Sequence, residues 1–140
     1  MHCDNADDEN RNRHYFKREM DVITSLNHKN CLKLYGCSAI PSNNYPILVF
    51  PYCNGGCLED YILKEGKKPR LTNEQKYRVI LEIAEGLAYM HSNNVIHRDL
   101  KSDNILMHNG HPVIADFGLS RKIDIGESID ILSSAGGDPK

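Results

Sequence analysis

Tryptophan is absent, and aromatic residues make up only 7% of the 140 positions, so a core has to be built mainly from aliphatic side chains. No apolar run approaches the ~20 residues needed to cross a bilayer. The opening MHCDNADDENRNRH has no apolar stretch of signal-peptide type. Neither charge sign dominates: 17 Lys and Arg against 19 Asp and Glu leave a formal charge of -2. That balance gives no field-based reason to expect a nucleic acid or a membrane surface as partner. The cysteines Cys3, Cys31, Cys37, Cys53 and Cys57 are odd in number and contain no CxxC pair, which argues against a disulfide framework and for reduced thiols. Cys53 and Cys57 could offer two ligands to zinc, but no second pair at finger spacing follows them. A soluble, cytoplasmic protein is the expectation.

What remains is an ordinary globular composition, 40% apolar, at the length of one domain. From Arg13 to Leu26 the apolar residues Phe16, Met20, Ile23 and Leu26 recur at helical spacing, with Glu19 on or beside that stripe. Leu32 to Cys37 and Ile47 to Phe50 are β-prone and flank the turn-rich PSNNYP, which predicts an antiparallel pair. Leu58, Tyr61 and Ile62 follow the flexible Asn54-Gly55-Gly56 at the spacing of a short helix. Thr72 opens the longest predicted helix, with Gln75 placed to complete a capping box. Tyr77, Ile80, Leu81, Ala84, Leu87, Ala88 and His91 lie on one face of it, and it is expected to end near Ser92-Asn93-Asn94. Beyond it, ILMH and HPVI flank Asn109-Gly110, a dipeptide that tolerates the positive φ of a two-residue hairpin turn. From Arg121 onward the chain is polar and broken by glycines.

HRDLKSDNIL runs from His97 to Leu106, and DFG from Asp116 to Gly118, with the predicted hairpin between them. In this order the two motifs resemble the signature set of eukaryotic-type protein kinase catalytic domains. The physical logic is that phosphoryl transfer demands positioning and charge neutralisation more than covalent chemistry. The resemblance implies ATP and Mg2+ as cofactors and a protein substrate as partner, with Asp99 accepting the proton of the substrate hydroxyl. Asn104 and Asp116 match the magnesium-binding positions, and Lys101 is placed to offset charge on the transferred group. Lys101 in this setting is similar to serine/threonine-directed or tyrosine-kinase-like members, so a Ser/Thr hydroxyl is the expected acceptor. Arg98 matches a residue that can grip a phosphorylated activation-loop side chain, for which Ser128, Ser133 and Ser134 are candidates.

ILVFPYCNGGCLEDYI resembles the hinge between the two lobes of the family. Phe50 then falls at the gatekeeper position, while Pro51 and Cys53 offer backbone groups to adenine, and Leu106 is assigned to the same nucleotide site. Glu19 matches the helix glutamate that pairs with a strand lysine, and the resemblance stacks His97 and Phe117 with Ile23 and Leu34 as packing residues. The implied architecture is α+β, a partial protein-kinase-like fold. Residues 1–50 form a small-lobe remnant, 51–57 the hinge, 58–118 the first part of a helical large lobe and 119–140 a truncated activation segment.

The 140 residues contain no GxGxxG loop, no strand lysine ahead of Glu19 and no APE. The expectation is therefore a poorly folded, inactive fragment of a serine/threonine-type kinase. The alternative is a non-catalytic, kinase-derived binding or regulatory module that contacts another kinase.

Overall fold

The computed structural model describes residues 16–39, 46–63 and 68–123. Within them the chain begins as a helix, α1 (residues 16–25). Of its predicted apolar stripe Ile23 and Leu26 are buried and Phe16 and Met20 partly so, and Val22, not anticipated, is buried beside them. Two strands follow, β1 (Gly36–Ala39) and β2 (Pro46–Val49), paired antiparallel with Cys37 opposite Leu48. The strand expected from Leu32 starts later, because Cys31 and Leu32 turn aside to bond with Ile114 of the large lobe. Phe50, expected inside the second strand, lies just past its end. Of the predicted connector PSNNYP, residues 41–45 lie outside the described residues and Pro46 opens β2.

The hinge region leads into a single helical turn, α2 (Glu59–Ile62), and then into α3 (Asn73–Ser92). Thr72 caps α3 as anticipated: its side chain accepts from the Gln75 backbone N–H, and the Gln75 side chain accepts from the Thr72 backbone N–H. Two orphan donors of the first turn are thereby satisfied reciprocally. After α3 come β3 (Val95–Ile96), a 3-10 turn (Ser102–Asn104), the hairpin β4 (Ile105–His108) and β5 (His111–Ile114), and β6 (Arg121–Lys122), which pairs with β3. Asn109 and Gly110 take φ of 50° and 81°, the left-handed pair that a two-residue hairpin turn needs.

One expectation about α3 is overturned. Tyr77, Ile80 and Leu81, assigned to its packing face, are 71%, 62% and 64% exposed. The face that packs inward is the opposite one, carrying Val79, Glu82, Gly86 and Met90, and of the expected set Leu87 is partly buried and packs on the core. The helix is apolar on two sides, so periodicity alone could not say which side meets the core. Gly86 decides it, because a Cβ there would come within 2.9 Å of Ile114 and 3.2 Å of Asn30. Only the side without a side chain lets the turn after α1 and strand β5 approach that closely.

The main core joins Val22 and Ile23 of α1, and Leu26 just past its end, to Met90, Val95, Val113, Ile114 and Phe117. It spans the small-lobe helix and the large-lobe hairpin, so each lobe's element covers the other's apolar face. A satellite cluster of Leu58, Val79, Ile105 and Met107 seats the start of α2 on the hairpin.

Candidate nucleotide and phosphoacceptor site

The loop that carries HRDLKSDN hangs between β3 and β4, with its two ends tied to the core. His97 is buried, and its Nδ1 accepts the backbone N–H of Asp99 at 3.3 Å. Its proton therefore resides on Nε2, which donates to the carbonyl of Ala115 at 2.8 Å. The His97 ring also contacts the buried Phe117 ring at 5.7 Å between centroids. Phe117, Ile23 and the partly buried Leu34 belong to one cluster, in keeping with the packing roles expected for them.

Asp99, Lys101 and Asn104 come together. The Asn104 amide nitrogen donates to the Asp99 carbonyl at 2.9 Å and to its carboxylate Oδ2 at 3.0 Å. Lys101 Nζ approaches the same Oδ2 at 3.5 Å. Both partners thus converge on one carboxylate oxygen, leaving Oδ1 to accept a proton from an incoming hydroxyl. With both amide hydrogens of Asn104 engaged, its Oδ1 is the atom left to face a cation. The backbone carbonyl of Asn104 accepts from Ala115 N–H at 2.9 Å, which joins the loop to the residue just before Asp116.

Asp116 is exposed, and its Oδ1 accepts the Gly118 N–H at 3.4 Å. Glu19 lies near it: partial burial, and secondarily the Asp116 carboxylate, raise the Glu19 pKa above the ordinary glutamate value. Arg98 and Asp116 both adopt left-handed φ, 67° and 58°. Such backbone is disfavoured for a side-chain-bearing residue by ~1–2 kcal/mol and collects at functional sites. Neither is a glycine, so nothing in the sequence signals it. Arg98 is exposed, and among the described residues no acid pairs with it. Ser128, Ser133 and Ser134 lie outside the described residues.

Phe50, Pro51 and Cys53 lie just ahead of the segment bonded to β4, and Leu106 lies in β4 itself. Phe50, Cys53 and Leu106 are partly buried and pack on the main core, and Pro51 is half-buried. Burial raises the Cys53 thiol pKa, and its Sγ lies 3.9 Å from the Pro51 carbonyl. Gly55 N–H donates to the Met107 carbonyl, Met107 N–H to that of Gly56 and Leu58 N–H to that of Ile105, so the hinge exit runs beside β4, with an isolated antiparallel bridge at Cys57 and Leu106. Gly55 is a residue that sequence reasoning treated only as a flexible stop. A Cβ there would sit 2.6 Å from the Met107 carbonyl, so the close pairing requires glycine.

Could these residues hold a magnesium ion? Among the described residues no three His, Cys, Asp or Glu side chains gather at one point. Mg2+ typically takes one or two protein oxygens and completes its shell with water and phosphate. Asn104 Oδ1 and the Asp116 carboxylate are hard oxygen donors of that kind, and the pair fits.

Residues 2–135 match the family model for protein tyrosine and serine/threonine kinases. Among curated proteins of Arabidopsis thaliana, the chain is 38% identical to cysteine-rich receptor-like protein kinase 36 over 118 residues, covering 81% of this chain and 18% of that protein. It is also 38% identical over 109 residues to leaf rust 10 disease-resistance locus receptor-like protein kinase-like 1.1, covering 76% of this chain and 17% of the relative. The chain therefore spans less than a fifth of the length of these relatives.

Proposed function

Because the chain belongs to the protein tyrosine and serine/threonine kinase family, we propose that it carries the phosphoacceptor and magnesium side of an ATP-dependent protein kinase directed at Ser/Thr hydroxyls. The observation that supports this reading best is the arrangement of Asp99, Lys101 and Asn104. Asp99 keeps one carboxylate oxygen for the acceptor hydroxyl's proton, and Lys101 brings positive charge to where the transferred group gains negative charge. Asn104 and Asp116 would hold Mg2+, which with ATP supplies the transferable phosphoryl group and the neutralisation of its oxygens. Phe50, Pro51, Cys53 and Leu106 would flank the adenine, and Glu19 and Arg98 take the roles expected for them. A phosphorylated Ser128, Ser133 or Ser134 would be the partner of Arg98. A cytoplasmic setting, where ATP is abundant and thiols stay reduced, suits this chemistry. Among the described residues no helix is long and apolar enough to cross a membrane.

The 140 residues contain neither GxGxxG nor APE, and the chain by itself is proposed to bind MgATP without measurable turnover. Titrating the purified chain with MgATP, followed by NMR shifts, and incubating it with ATP and Ser-, Thr- and Tyr-containing peptides tests this. Magnesium-dependent shifts that vanish in Asp116→Asn are expected, with no phosphopeptide formed. Lack of any magnesium-dependent shift would overturn the nucleotide site, and transfer abolished by Asp99→Asn would overturn the inactivity. A second reading, a binding module that contacts another kinase, draws on the exposed apolar face of α3 at Tyr77, Ile80 and Leu81.

A further inference from the structure

Glu19 and Asp116 stand on different lobes, yet the site needs them in a fixed relation. Glu19 belongs to α1, and Asp116 follows β5. The connection between them is the turn after α1, which is bonded to the large lobe along its length. Tyr89 of α3 accepts the Asn27 N–H at 2.9 Å and stacks on His28 with ring centroids 5.0 Å apart. Asn30, 2% exposed, accepts the Ile114 N–H through its carbonyl at 2.8 Å. Its side-chain nitrogen donates to the Pro112 carbonyl at 2.8 Å and to Glu82 Oε2 at 3.4 Å.

Glu82 is the unexpected member. It is a carboxylate on the buried face of α3, only 9% exposed, where an ionised acid needs partners to offset its lost hydration. His111 Nδ1 donates to it at 2.9 and 3.0 Å, and Arg78 Nε stands 3.9 Å away. One side chain thus joins helix α3, strand β5 and the Asn30 turn. Alongside it lies a cavity of about 330 Å³, lined in part by Lys29, Asn30, Glu82, His108 and His111 and by none of the candidate catalytic residues.

We propose that Glu82 is a positioning residue for phosphoryl transfer: through Asn30 and His111 it holds the turn after α1, and with it Glu19, in register with the strand that leads to Asp116. The inference rests on the nucleotide-site reading and adds to it a residue that lies 15 positions ahead of His97, outside both motifs. Asn30 follows the end of α1 by one short turn, and Ile114 precedes Asp116 by one residue, Ala115, whose N–H is bonded to Asn104. Slack at Asn30 is therefore transmitted directly to the spacing of the two carboxylates. Glu82 touches neither nucleotide nor acceptor in this arrangement; it acts through its partners.

The test compares the 140-residue chain with Glu82→Ala, Glu82→Gln and Val79→Ala. MgATP affinity is read by NMR titration, and hydrogen exchange is followed at residues 22–32. Val79 is a buried α3 residue of the other cluster, so its truncation weakens the helix without touching this network. Glu82→Ala is expected to weaken MgATP binding about tenfold, the scale of one charge-assisted hydrogen bond, and to accelerate exchange at residues 22–32. Glu82→Gln retains an acceptor for Asn30 and recovers most of the affinity, and Val79→Ala leaves affinity unchanged while lowering stability. Wild-type affinity in Glu82→Ala, or an equal loss in Val79→Ala or Glu82→Gln, overturns the positioning role alone. A wild-type chain that does not respond to MgATP overturns the nucleotide site, and the positioning role falls with it.

Discussion

The two antiparallel pairs β1–β2 and β4–β5 have strands of equal length, four residues each, and opposite fates. In β4–β5, Ile105, Met107, Val113 and Ile114 are buried, and the pair is packed between α3 and the hinge exit. In β1–β2, Ile47 and Val49 are 48% and 50% exposed. The candidate catalytic residues Asp99, Asn104 and Asp116 all flank β4–β5, and none adjoins β1–β2. Burial is concentrated beside the candidate site, and a side chain can be no better positioned than the backbone it grows from.

That contrast can be broken most forcefully at Ile114, which is fully buried at the junction of α1, α3 and β5. Ile114→Ala is expected to cost about 2–5 kcal/mol, measured by urea denaturation. A cost below ~1 kcal/mol would mean that the hairpin is not the mechanical base of the site.

A smaller effect is expected at Glu19, where burial and the Asp116 charge disfavour ionisation. The folded pKa lies above the unfolded one, so the carboxyl's contribution is fully present below the unfolded pKa and lost as pH rises through the folded pKa. Glu19→Gln should therefore raise stability slightly at neutral pH and flatten the mildly acidic limb of the stability profile. A fall in neutral-pH stability would show that a cation offsets Glu19 in the folded chain. The smallest change is expected from Ile47→Ser, within about 0.5 kcal/mol for a half-exposed strand residue. A cost of ~2 kcal/mol or more would show that the exposed face of β1–β2 is covered in solution.

Much of this was legible in the chain. The Thr72–Gln75 capping box, the Asn109-Gly110 turn and the buried stripe of α1 are local chemistry, and each appears where its residues demand. The grouping of Asp99, Lys101 and Asn104 was legible too, since they lie within a few residues of one another and a short loop leaves them little freedom. The inward face of α3 was not. Tyr77, Ile80 and Leu81 offer as good an apolar stripe as Val79, Ile83 and Met90, and the choice turned on Gly86 admitting the backbone of Asn30. Glu82 was equally hidden, because a helical glutamate is usually solvated, and its partners Asn30 and His111 lie far from it in sequence.

The amino-acid order by itself determined the local elements and the set of groups proposed for phosphoryl transfer, because capping, turn formation and loop chemistry act over a few residues. The tertiary structure alone decided which side of α3 is core, where the first strand begins and how α1 is held against the strand leading to Asp116. Those outcomes depend on contacts between residues distant in the chain, where the fit of one backbone against another overrules local preference.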